Sequence, residues 1–279
     1  MTRGSSIRPA GPVSVAFGTL TVFPVHAAWD ESAARRAVAF YPAVGWAVGA
    51  AAAAVPFVAA AAGWRGQAVG VVAVTMLVVA AGASRLMHLD ALADTADGLL
   101  GGHTPRRRLE IMRDSSVGAF GAAAIALSVA GHVAALSAVL QATAWYAFVV
   151  AAVAARLGAS VAMWTLPPAR ADGLAASAAR RPRAVDVAVA AALAAALMLL
   201  TFVAVQDGTW HVTFSAIPLA GWPAHQIRGF VACVVAGAAA ATILPRALAR
   251  PIGGVTGDIA GASIELATLI ALGAAALWG

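Results

Sequence analysis

The chain has 279 residues, of which 62% are hydrophobic and 11% charged; its net charge is +6 and all 18 of its basic residues are arginine. Soluble globular domains run at about 45–50% apolar and about 25% charged residues, which excludes a water-soluble globule and leaves an all-α, polytopic integral membrane protein. The excess of positive charge does not indicate nucleic-acid binding, because the arginines lie between apolar runs with no interleaved basic and aromatic stripe.

Residues 12–29 form a first apolar stretch behind Arg3 and Arg8, similar in outline to a signal-peptide core but interrupted by Thr19, Thr21 and Pro24. It is expected to be an interfacial or re-entrant segment on the cytoplasmic leaflet. Seven runs of spanning length, about 20 residues each, follow at 38–62, 66–87, 116–140, 142–166, 185–205, 228–248 and 260–278. They are separated by Gly, Pro and Asp-Gly breaks and form a single membrane-embedded domain over 1–279. Arginines crowd alternate connections: Arg35 and Arg36, then Arg85, Arg106, Arg107, Arg108 and Arg113, then Arg170, Arg180, Arg181 and Arg183, then Arg246 and Arg250. The remaining connections hold only Arg65 and Arg228. By the positive-inside rule the N-terminus is cytoplasmic and the C-terminus outside, across an odd number of spans in the plasma (inner) membrane. Asp90, Asp94, Asp97, Glu110, Asp114, Asp172, Asp258 and Glu265 are then expected at cytoplasmic span ends or loops, and Asp207 outside. The active site therefore faces the cytoplasm.

The most informative stretch runs from His88 to Asp97, where Asp90, Asp94 and Asp97 stand at i, i+4 and i+7. On a helix these share one face, and three negative charges there repel one another unless a cation lies among them. Mg²⁺ suits such a face, since it binds carboxylates and completes its shell with waters or substrate phosphates, which points to phosphoryl transfer. His88 is either a contact to a ligating carboxylate or phosphate, or polar trim at a helix end. Downstream, a glycine turn, the basic cluster Arg106 to Arg108 and then Arg113-Asp114-Ser115 offer anion contacts; the cluster reads first as topology charge, and Arg113, Asp114 and Ser115 as site candidates.

Arg156, in mid-span, is either functional or paired with an acid on a neighbouring helix. Arg170 and Asp172 follow Pro167-Pro168 and are positioned to reach the site from their loop. A second glycine-rich turn, Gly253 to Ala262, opens the last span, with Gly254, Thr256 and Asp258 as either an anion cradle or an ordinary helix cap. It lacks the lysine of a P-loop. His132, His211, His225 and the lone Cys233 show no zinc spacing, and Cys233 has no intrachain partner.

The blocks 88–98 and 108–118, with 17–24, 40–49 and 253–262 in the same order, closely resemble the cobalamin synthase (adenosylcobinamide-GDP ribazoletransferase) family over nearly the whole chain. Leu20 and Ala91 depart from that pattern, which more often has Arg and Gly there. The resemblance implies attack by the hydroxyl of α-ribazole, or of its 5′-phosphate, on adenosylcobinamide-GDP, yielding adenosylcobalamin or its 5′-phosphate and GMP. It implies Mg²⁺ on Asp90, Asp94 and Asp97, with one aspartate as an open choice of general base. Besides lipid and these substrates, a homo-oligomer and association with other enzymes of the cobalamin pathway are open expectations. A CDP-alcohol phosphatidyltransferase also displaces a nucleotide monophosphate with membrane aspartates, but its acids are more widely spaced than this Asp-x-x-x-Asp-x-x-Asp. A cation-coupled transporter would put acids mid-membrane in repeated, discontinuous helices.

Overall fold

In the computed structural model, residues 10–24, 30–170, 182–206 and 224–279 are described. Asp172, Asp207, His211, Arg3, Arg8, Arg180 and Arg181, and the end of the 12–29 segment, lie outside them. The described residues are helical throughout, apart from loops and one isolated bridge between Pro168 and Val255. We label the helices α1 (Pro12–Leu20), α2 (Glu31–Ala37), α3 (Tyr41–Ala61), α4 (Val69–Ala83), α5 (Met87–Gly101), α6 (Pro105–Ile111), α7 (Ala119–Gln141), α8 (Ala147–Thr165), α9 (Ala184–Gln206), α10 (Ala224–Ala249) and α11 (Gly257–Trp278).

Among the described residues, six stretches are long and apolar enough to cross a bilayer: α2 continued into α3 through a 3₁₀ turn, α7, α8, α9, α10 and α11. The second expected span differs from a straight helix. Its apolar run ends at Ala83, and the chain turns by 86° into α5, so α4 and α5 form a bent pair and the count is six or seven. Arg85 and Leu86 take left-handed backbone conformations at φ 55° each, which stops one helix and starts the other. No Gly or Pro marks the spot.

α8 is the axis of the bundle: 83% of its most apolar stretch is buried, against 22% for α9. Its face is mostly alanine, which lets α3, α10 and α11 approach closely where lipid supplies no hydrophobic drive between helices. Contacts across the bundle sort the connections into two ends. At one end Phe57 stacks edge-on against Trp145 with centroids 4.9 Å apart, Tyr146 donates to the Gln226 carbonyl at 3.1 Å, and Gly229 lies against Gly279. At the other, Arg108 reaches the Pro251 carbonyl at 3.0 Å and Arg170 the Leu109 carbonyl at 3.2 Å. Among the described residues, the arginines of the crowded connections fall at this second end, as the charge alternation implies. α1 packs there too, with Arg85 donating to the carbonyls of Gly18 and Thr21 at 2.8 and 2.6 Å.

Candidate active site

α5 carries the aspartate row across the arginine-rich end, between the starts of α7 and α11. Ala91 packs against Gly261 of α11, and Ala93 against Gly121 of α7. Asp90 is exposed and Asp94 half-buried, and no hydrogen-bond donor among the described residues meets either side chain. Asp94 lies in electrostatic range of Asp90, Asp258, Asp97 and Arg170.

Asp97 departs from the expected trio. Its carboxylate accepts from the backbone N–H of Gly118 at 2.7 Å and of Gly121 at 2.9 Å. These are donors that the first turn of α7 cannot satisfy internally, at the positive end of its dipole. Asp97 therefore caps α7 and is buried, while Asp90 and Asp94 are left facing outward. A side chain at Gly121 would collide with this carboxylate.

Asp258 replaces Asp97 beside the other two acids. Thr256 caps α11, its hydroxyl accepting from Ile259 N–H at 3.1 Å and contacting Asp258 at 3.3 Å. The Pro167–Arg170 segment runs along the glycine turn, with Val255 N–H donating to the Pro167 carbonyl at 2.8 Å and Ala169 N–H to the Val255 carbonyl at 3.0 Å. Gly254 permits this approach, since a Cβ there would sit 2.5 Å from the Pro167 oxygen and 2.7 Å from the Ala169 nitrogen. The docking brings Arg170 Nη2 to 3.7 Å from Asp258 Oδ2 and leaves Arg170 Nε buried without a hydrogen-bond partner among the described residues. Asp90, Asp94, Asp258, Arg170, Thr256 and Gly254 thus converge.

Other candidates sit apart. Arg113 and Ser115 are exposed in the turn after α6, where Asp114 turns its carboxylate on Ser116 N–H at 3.0 Å and Oγ at 2.6 Å; that bonding holds its carboxyl below the usual range. His88 lies on the back of α5, about 160° around the helix from Asp90 by the 3.6-residue turn, and its Nδ1 is 3.4 Å from Arg156 Nη2. Glu265, expected at a span end, is about 12 Å along α11 from Gly257 at 1.5 Å per residue, where Ser128 Oγ donates to it at 2.9 Å. Of the basic cluster, Arg108 is more than a topology charge: it ties Gly102 and Pro251 together through its guanidinium. Local spacing carries no signal for Gly121, Ser128 or Arg108 in these roles, because each meets a partner far away in sequence.

Among the described residues no three His, Cys, Asp or Glu side chains stand together as a metal cage. Mg²⁺ needs only one or two carboxylates when substrate phosphates complete its shell. Asp90 and Asp94, one turn apart and without protein donors, fit that requirement; a cage of three aspartates does not form.

The cobalamin-5-phosphate synthase family model matches residues 12–276. The chain is 38% identical over 277 residues to the adenosylcobinamide-GDP ribazoletransferase of Frankia casuarinae, covering 92% of each chain. It is 36% identical to that of Bradyrhizobium diazoefficiens (92% of this chain, 90% of the other) and 33% identical to that of Ralstonia pickettii (94% of each). No solved structure matches it.

Proposed function

The chain belongs to the cobalamin-5-phosphate synthase family, and from that membership we infer that it is an adenosylcobinamide-GDP ribazoletransferase of cobalamin nucleotide-loop assembly. The observation that carries this reading is a family match over residues 12–276, which contains every element of the site. A hydroxyl of α-ribazole, or of its 5′-phosphate, attacks the phosphorus attached to the cobinamide side chain. A new P–O bond forms to ribazole, the bond to the GMP phosphate breaks, and GMP leaves.

Mg²⁺ would be held by Asp90 and Asp94 and would supply charge neutralisation to the diphosphate. Arg170, held by the Leu109 carbonyl and beside Asp258, brings a positive charge to the same acids and so favours the leaving phosphate. A carboxylate of the Asp90–Asp94 face accepts the proton of the attacking hydroxyl. Exposure of Asp90 suits a bulky corrinoid, which needs an open cleft. The arginine-rich end faces the cytoplasm by the positive-inside rule, so both substrates arrive from that side of the plasma membrane. Full-length protein in nanodiscs, given adenosylcobinamide-GDP, α-ribazole and Mg²⁺, should release GMP and form cobalamin. Folded protein yielding neither product rejects the reading.

A further inference from the structure

The back of α5 faces a cavity of mixed lining in the bundle, where Ser84, His88, His132, Arg156, Glu265 and Thr268 supply the polar groups and apolar side chains the larger part. Its free volume is about 30 Å³, enough for one or two water molecules. Arg156 and His88 are each 5% exposed and His132 1% exposed, so these groups are buried, in a cavity that is partly open beside the exposed Leu86. Arg156 Nε and His88 Nε2 are buried and have no hydrogen-bond partner among the described residues. Across the cavity, Glu265 is held by Ser128 Oγ at 2.9 Å and lies 3.5 Å from His132 Nδ1, which itself meets the Ser128 carbonyl at 2.9 Å.

A guanidinium within a span is stable only when paired or hydrated, and here one cation and one carboxylate share a small chamber with two unsatisfied nitrogens. The balance of charge argues against a bound ion, and the number of donors and acceptors suits water, which needs two to four polar partners. We propose that this chamber is an internal water site bridging Arg156, His88 and Glu265, and that Arg156 and Glu265 are positioning residues for the aspartate face of α5. α5 begins at a left-handed residue with no side-chain cap, and backbone bonds from Leu86 to Ala81 and from Met87 to Ser84 tie its start to α4. The bridge from His88 to α8 and α11 adds a restraint on its rotation, and any rotation of α5 there moves Asp90 and Asp94 on the opposite face.

The water half stands alone; the positioning half rests on the ribazole-transfer reading. Hydroxyl-radical footprinting of the full-length protein in nanodiscs tests the first. Trapped water generates radicals in place, so His88 and His132 should be labelled despite their burial, alongside exposed His103 and His225. Labelling of His103 and His225 alone overturns the water site. For the second, Arg156→Met should lower kcat roughly 10- to 100-fold, the size of effect expected from displacing reacting groups by about 1 Å, with KM for both substrates unchanged. Arg156→Lys, which returns a charge and donors to the chamber, should recover most of the loss. Should Arg156→Met not fold, Glu265→Gln read by the same kcat and KM split decides. Unchanged kcat, a loss confined to KM, or no recovery with lysine overturns the positioning role. A wild-type protein without transferase activity removes the positioning half with the function it rests on, and the footprint still judges the water.

Discussion

The outer and inner faces of α5 hold the same kinds of polar residue under opposite conditions. On the outer face Asp90 and Asp94 meet no donor among the described residues, and the nearest cation, Arg170, is already shared with Asp258 and the Leu109 carbonyl. On the inner face His88 is buried with Arg156 beside a partly open cavity between α5, α8 and α11. Asp97 stands between these extremes: one turn beyond Asp94, it has both oxygens taken by the start of α7. Negative charge left unpaired next to the membrane surface is ready for a cationic or phosphate-bearing ligand, whereas charge that is already satisfied holds helices in register. Position in the Asp row does not separate the two uses; the donors around each residue do.

Substitutions can break that contrast in order of effect. Asp94→Asn keeps the shape and removes a charge with no protein partner, so turnover should fall about 100- to 1,000-fold, as for loss of an electrostatic stabiliser, while the melting temperature in detergent stays put. An undiminished rate at saturating Mg²⁺ would remove Asp94 from the metal set. Gly254→Ala comes next. The new Cβ must push the Pro167–Ala169 backbone aside, and the resulting shift of Arg170 should lower kcat/KM about tenfold, equivalent to about 1.4 kcal/mol, in a protein that still folds.

Asp97→Ala should reverse the pattern seen at Asp94. It strands the buried N–H of Gly121, at about 1–3 kcal/mol for a buried donor left unpaired, and uncaps the exposed Gly118, so thermal stability falls more than the rate per folded molecule. A rate loss as deep as that of Asp94→Asn, with stability intact, would return Asp97 to the catalytic set. The smallest effect is expected at Glu110, whose exposed carboxylate pairs with Arg106 at 3.0 Å and Arg107 at 3.4 Å. Solvent screens such pairs, so Glu110→Gln should leave both melting and turnover unchanged.

Much of this architecture is legible from residue order. Runs of apolar residues locate the helices to within a few positions, and the alternation of arginines separates the two ends of the bundle, because both follow from local composition. The row Asp90, Asp94 and Asp97 is likewise a local, periodic signal. The turn at Arg85 and Leu86 is not, since neither residue favours left-handed backbone and no Gly or Pro stands at either position. Glu265 looks like a span-end acid until Ser128, 137 residues away, is brought beside it. The capture of Asp97 depends on residues 21 and 24 positions downstream, which no helical period connects to it.

Composition and periodicity alone determined that this chain lies in a membrane and carries a line of acids on one helix, because hydrophobicity and the 3.6-residue turn act over neighbouring residues. Which of those acids remains available was decided only when α7 and α11 packed against α5. A carboxylate's role depends on the N–H groups and guanidiniums that distant segments deliver to it, and those arrive with the tertiary fold.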